Sequence, residues 1–125
     1  MSTVMIRAEL GDALASILDP KQYQIVTNVG TVDRLAKNLV QIEVSAFEPA
    51  PQARGARLVT CTVHTATKLS GVTKSAEDAA DAIAFEVFAA LESLTWANPT
   101  RAEKTVYKDN HLGYDITTEI LTTRS

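Results

Sequence analysis

The segment from Ser75 to Leu94 constrains this chain more than any other part of it. Ala76, Ala79, Ala80, Ile83, Ala84, Val87, Leu91 and Leu94 recur at helical spacing on one side. Ser75 stands where an N-cap belongs, and Asp78 three residues on is the acid of a near capping box. The pattern predicts one long helix over 75–94. The same segment carries Glu77, Asp78, Asp81, Glu86 and Glu92 and no Lys or Arg. A helical wheel sets Phe85 among Asp78, Asp81 and Glu92. One face of the helix therefore suits a core, and the other is acidic with an aromatic in it. Aromatics are favoured at the centres of protein contacts, so Phe85 is a candidate interface anchor.

The flanking segments define what that helix packs on. Ile6, Leu10, Ala13, Leu14 and Ile17 form an apolar stripe within a first helix expected over 3–18, with Ser2 or Thr3 as cap and Asp19-Pro20 as stop. A short strand follows at Tyr23–Val26. Residues 27–38 read as a loop with a helical turn near 32–36. Val40, Ile42, Val44 and Ala46 alternate with Gln41, Glu43 and Ser45 in a strand over 39–47. Pro49, Pro51 and Gly55 make 48–56 a wide hairpin tip. The chain returns over 57–67 with Val59, Cys61 and Val63 inward and Thr60, Thr62 and His64 outward. A second hairpin is expected from 100–107 and 114–121, joined by 108–113. Its last strand sets Tyr114, Ile116, Thr118 and Ile120 opposite Asp115, Thr117 and Glu119.

Strands grouped in pairs predict an α+β fold. Its sheet is mainly antiparallel, built from two hairpins plus a short strand, and packs against an N-terminal helix and one long helix. At 125 residues a single domain over 1–125 is expected. The net charge of −3 does not suit sequence-specific duplex binding. No apolar run approaches the roughly 20 residues of a bilayer span, and the N-terminus lacks a signal-peptide pattern. A single cysteine rules out a disulfide framework and suits synthesis in a reducing cytosol.

Chemistry is sparse. There is no phosphate-binding glycine loop, dinucleotide fingerprint or nucleophile elbow. Cys61 and His64 are three apart on a strand and so face opposite ways; Cys61 reads as core. Two scattered histidines are too few for a metal site. No catalytic residue, cofactor or metal is expected. Between Pro49 and Ala76 there are four bases, Arg54, Arg57, Lys68 and Lys74, and no acid. This basic middle beside an acidic helix is able to pair between copies of the chain, or else to form two solvated faces. The candidate interface residues are Gln52, Arg54, Arg57, Lys68, Lys74 and Phe85.

Several segments taken together resemble a known family. They are Ile6-Arg7-Ala8-Glu9-Leu10, Tyr23-Gln24-Ile25-Val26, Val59-Thr60-Cys61-Thr62-Val63-His64 and Ala76-Glu77-Asp78-Ala79-Ala80-Asp81-Ala82. Further along come Ala89-Ala90-Leu91-Glu92, Leu94-Thr95-Trp96, Arg101-Ala102-Glu103-Lys104 and Tyr114-Asp115-Ile116. In order and spacing they resemble the tail terminator proteins of long, non-contractile-tailed bacteriophages, especially those of actinobacteria. The resemblance covers nearly the whole chain but contains no sharp motif. It implies a structural virion protein, not an enzyme, made in the host cytoplasm and placed at the head-proximal end of the tail. It implies a homo-oligomer, a hexameric ring, that caps the finished tail tube and ends its polymerisation. The expected partners are the major tail tube protein and the head-completion or stopper protein, with genomic DNA passing through the ring without sequence-specific binding. Three other readings stay open: a neighbouring head–tail connector subunit, a regulatory binding module, and a small enzyme using His64, Cys61, Asp115 and the helix acids.

Overall fold

Two helices and five strands follow one another along the chain: α1 (Ile6–Ile17), β1 (Tyr23–Val26), β2 (Asn38–Pro49), β3 (Arg57–Ala66), α2 (Lys74–Glu92), β4 (Asn98–Tyr107) and β5 (His111–Thr122). They are seen in a computed structural model that describes residues 5–28, 30, 35–50, 55–108 and 110–122. The strands form one sheet in the order β1-β2-β3-β5-β4. Three of its pairings are antiparallel, and β1 runs parallel to β2. The fold is α+β, as the grouping of strands predicts.

Both expected hairpins form, and β5 inserts between β3 and β4 to join them. Consequently α2 carries the chain from β3 across the sheet to β4, with β5 filling the gap between these two parallel strands. The helices lie on one face of the sheet. Ile6, Leu10 and Leu14 of α1 and Ile83, Val87 and Leu91 of α2 are buried in a single cluster. Against them pack Val40, Ile42, Val59, Cys61, Val63, Ile116 and Ile120, the inward positions of β2, β3 and β5. Each such aliphatic side chain contributes about 1.5–3 kcal/mol on burial. Strands β3 and β5 approach so closely at Gly113 that a Cβ there would lie 1.7 Å from the Thr65 carbonyl oxygen.

The element ends correct several expectations. α1 begins at Ile6 with Met5 in the N-cap position and no side-chain cap, while Ser2 and Thr3 lie outside the described residues. Ile17, placed in the apolar stripe, is exposed, while Leu14 and Leu18 on either side of it are buried in the core. In the 27–38 loop, residues 32–34 of the expected helical turn lie outside the described residues, and Leu35 and Ala36 are not helical. Helix α2 is capped by Thr73 rather than Ser75: the Thr73 hydroxyl accepts from the Ala76 N–H at 3.1 Å. Asp78 instead receives the Lys74 ammonium at 2.8 Å.

Strand β2 runs on through Pro49 rather than breaking at Glu48. Ala50 donates to the Ala56 carbonyl at 3.0 Å, so Pro49 falls in the alternate, non-hydrogen-bonded pair with Arg57. A missing N–H is harmless there, on the edge side of an edge strand. β4 starts at Asn98 and β5 at His111, both earlier than expected, and the early start of β5 shortens the second turn to 108–110. Lys108 takes the left-handed conformation at φ 53°. Tyr107 and Tyr114 do not pack on each other across that hairpin. Tyr107 pairs with His111 and joins the Leu35, Leu39 and Ala66 cluster on one face, whereas Tyr114 pairs with Lys104 on the other.

Two stability outcomes follow from these local contacts. Thr73→Ala should cost about 1 kcal/mol by urea denaturation, the usual worth of a helix cap, and Ser75→Ala well under half of that. The Thr118 hydroxyl is buried without a hydrogen-bond partner. Thr118→Val keeps the shape and removes an orphaned polar group, so it should leave stability unchanged or raise it by about 1 kcal/mol.

Candidate functional site

The face of the sheet away from the helices is where polar chemistry gathers. Strand alternation sends Gln41 and Glu43 of β2, Thr62 and His64 of β3, Asp115 and Thr117 of β5, and Arg101 and Glu103 of β4 to that side, in paired rows. His64 stands near the middle. Its Nδ1 lies 2.7 Å from Asp115 Oδ1, the residue directly opposite on β5. Its Nε2 lies 2.8 Å from Glu43 Oε2 on β2. The side chain is about one quarter exposed.

A carboxylate can only accept, so the arrangement favours a proton on both ring nitrogens, the imidazolium form. Burial on its own lowers the His64 pKa. The hydrogen bonds to Glu43 and Asp115, and their charges, outweigh burial and raise it above the ordinary value. In this state His64 has no lone pair with which to act as a base. The two carboxylates sit on opposite sides of the ring and do not converge on a common point, as metal ligands must. The cluster is a clamp across β2, β3 and β5. Beside it Ser45 and Thr62 share a hydroxyl hydrogen bond, and Arg101 bonds Glu103 at 2.9 Å. The Gln41 amide, one of the polar positions in the alternation of this strand, is buried and donates to the Asn28 and Gly30 carbonyls at 2.7 and 2.6 Å.

The helix-bearing face carries a different feature at its β4 edge. Phe85 is 77% exposed on α2. With Ala84, Phe88, Ala102 and Tyr114 it lines an apolar groove of about 200 Å³ with Asp81 at its margin. The Tyr114 hydroxyl donates to Asp81 at 2.7 Å, a bond that raises the Tyr114 pKa, helped by burial. Lys104 reaches from β4 to within 5.9 Å of the Tyr114 ring centre and 3.9 Å of Glu77. Part of the acidic face of α2 is thus answered within the chain. A larger trough of about 500 Å³ opens where α1 ends beside α2, lined by Asp19, Gln22, Glu86 and Ser93 among others. Tyr23 reaches Glu86 nearby, and burial followed by that bond pushes its phenol pKa up. Neither cavity contains His64.

Among the described residues the basic side chains do not gather into one patch. Gln52 and Arg54 lie outside the described residues. Arg57 opens β3 and Lys68 follows its far end, so about 30 Å of strand separates them. Lys74 is exposed but already paired with Asp78. Cys61 is fully buried in the core, where burial lifts its thiol pKa to about 11, on the opposite face from His64 as its spacing requires. Sequence reasoning put forward His64 and Asp115 but not Glu43, because strand partners are invisible without register. It also passed over Phe47. An apolar residue at a position where alternation calls for a polar one was the available signal.

No protein-family model matches the chain, and no curated protein matches it.

The clamp makes stability depend on pH. The unfolded imidazole titrates near ~6.5, and the folded one titrates higher. The contribution of His64 is therefore fully present below that value and is lost as pH rises through the folded pKa. The stability gap between the protein and His64→Gln should be larger at about pH 6 than at about pH 9. Denaturant titrations at both values test this, with a pH-independent gap as the contrary result. NMR titration of His64 should give a midpoint above ~6.5 that falls in Asp115→Asn.

Proposed function

We propose that this chain is a structural subunit of a phage virion that closes into a hexameric ring on the finished tail tube. The ring ends tube polymerisation and offers the joining surface for the head-completion protein. The observation that carries this reading is the placement of exposed apolar surface. Phe47 and Phe85 are 64% and 77% exposed; Phe47 lies on the free part of β2, and Phe85 projects from α2 beside Ala102 of the edge strand β4, at the other side of the sheet. Single exposed apolar side chains are ordinary. Aromatics at both ends of a small subunit suit a contact repeated head to tail, and such a contact gives a closed ring when its rotation closes. The α+β architecture and the family resemblance along the chain support the same reading. A net charge of −3 per subunit suits a ring that DNA must slide through without being held.

The reading assigns no reaction to the chain. His64 donates from both nitrogens, which favours a structural clamp over a general base. The subunit would be made in the host cytoplasm and act at the head-proximal end of the tail.

Light scattering at several concentrations, with and without the major tail tube protein, tests the proposal. The expected result is a small species alone that becomes rings on tube ends in negative-stain images. Binding only to connector complexes would reassign it to a neighbouring head–tail connector. A species that ignores both would remove the virion reading.

A further inference from the structure

The two outer edges of the sheet differ, and each offers what the other lacks. Past Gln41 no described strand pairs with the free edge of β2, and residues 45–49 are exposed. A bulge between Val44 and Ala46 shifts the alternation, so that Phe47 comes opposite Val59. Val59 belongs to the helix-covered core, and directly paired residues share a face. The bulge therefore turns an exposed aromatic to the helix-bearing side of a free strand edge. The charges on β2 are Glu43 and Glu48, with no base.

At the far side of the sheet, β4 is an edge strand exposed along most of its length. It carries Arg101 and Lys104 against the single acid Glu103. Ala102 pairs with the core residue Ile116, so it too is on the helix-bearing face, where it forms the floor of the groove beside Phe85 and Phe88. An apolar groove at one edge and a projecting phenyl ring at the other lie on the same side of the same sheet. Counting the strands alone, the acidic β2 edge and the net basic β4 edge are complementary, although Arg101 and Lys104 are shared with Glu103 and Glu77 of their own chain.

We infer that the partner of each edge is a second copy of this chain. The free edge of β2 in one copy docks along β4 of the next, and Phe47 enters the groove over Ala102. The occupant is a copy rather than an unrelated peptide because both halves of the contact, apolar and charged, are present on one molecule. Strand addition at an open edge supplies main-chain hydrogen bonds, and the side-chain pocket supplies selectivity. The contact is heterologous, so it repeats by rotation. This inference rests on the ring reading above and names the surfaces that make the ring.

Two substitutions at exposed positions test it. Phe47→Asp spoils only the β2 edge, and Ala102→Arg spoils only the β4 edge. Circular dichroism and the unfolding midpoint establish that each variant folds. Sedimentation and negative stain, with and without tail tubes, should show each variant alone raising the concentration for half-assembly tenfold or more. A one-to-one mixture should stop at two chains, because each variant keeps one of the two surfaces. Wild-type rings together with unimpaired rings of both variants would overturn the assignment of surfaces and leave the ring reading standing. A mixture as inert as either variant alone would exclude a head-to-tail contact at these edges. A wild-type chain that never assembles, with or without tubes, would overturn the ring reading and this inference with it.

Discussion

The pairing of β3 with β5 is the interaction on which the rest of the molecule depends. Ten residue pairs run in register from Arg57 opposite Thr122 to Ala66 opposite Gly113. Each hairpin is local and forms from its own turn, but neither has enough buried surface alone to persist. Bringing β5 beside β3 fuses them into one sheet and makes the continuous apolar face of Val59, Cys61, Val63, Ile116 and Ile120 that α2 covers. Gly113 permits this, since any Cβ would collide with the Thr65 backbone. The same register sets His64 opposite Asp115.

That register also organises the outer face, where Leu39, Gln41 and Ala66 are buried against the loop that carries Gly30 and Leu35, while His64 and its partners stay partly exposed. One sheet face exposed to water is ordinary for antiparallel strands. Here the exposed rows are tied across strands by charge-assisted hydrogen bonds, with His64 between Glu43 and Asp115. Such bonds are stronger than neutral ones. A histidine bonded through both nitrogens in this way ties three strands together.

The edges themselves show how small irregularities redirect a surface. A strict strand would put Phe47 on the face away from the helices, opposite Leu58. The bulge at Val44–Ala46 carries it to the other face and increases the local twist. Pro49 then withdraws one donor from the open edge of β2, which limits indiscriminate strand pairing, as the charges of β4 do at the other edge.

Periodicity alone determined the number and kind of elements, both hairpins, the α+β class and the burial of Cys61 away from His64, because side-chain spacing is a local property of helices and strands. The span of β1 was legible to the residue, and that of α2 to within two. Ends and caps were less so: Thr73 and Ser75 are equally good capping types, and the path of the preceding loop chooses between them. The insertion of β5 between β3 and β4, the Glu43–His64–Asp115 clamp, the separation of Arg57 from Lys68 and the groove beneath Phe85 were decided only in three dimensions. Each depends on register or crossover between residues tens of positions apart, and pairing at that range leaves no periodic mark in the chain.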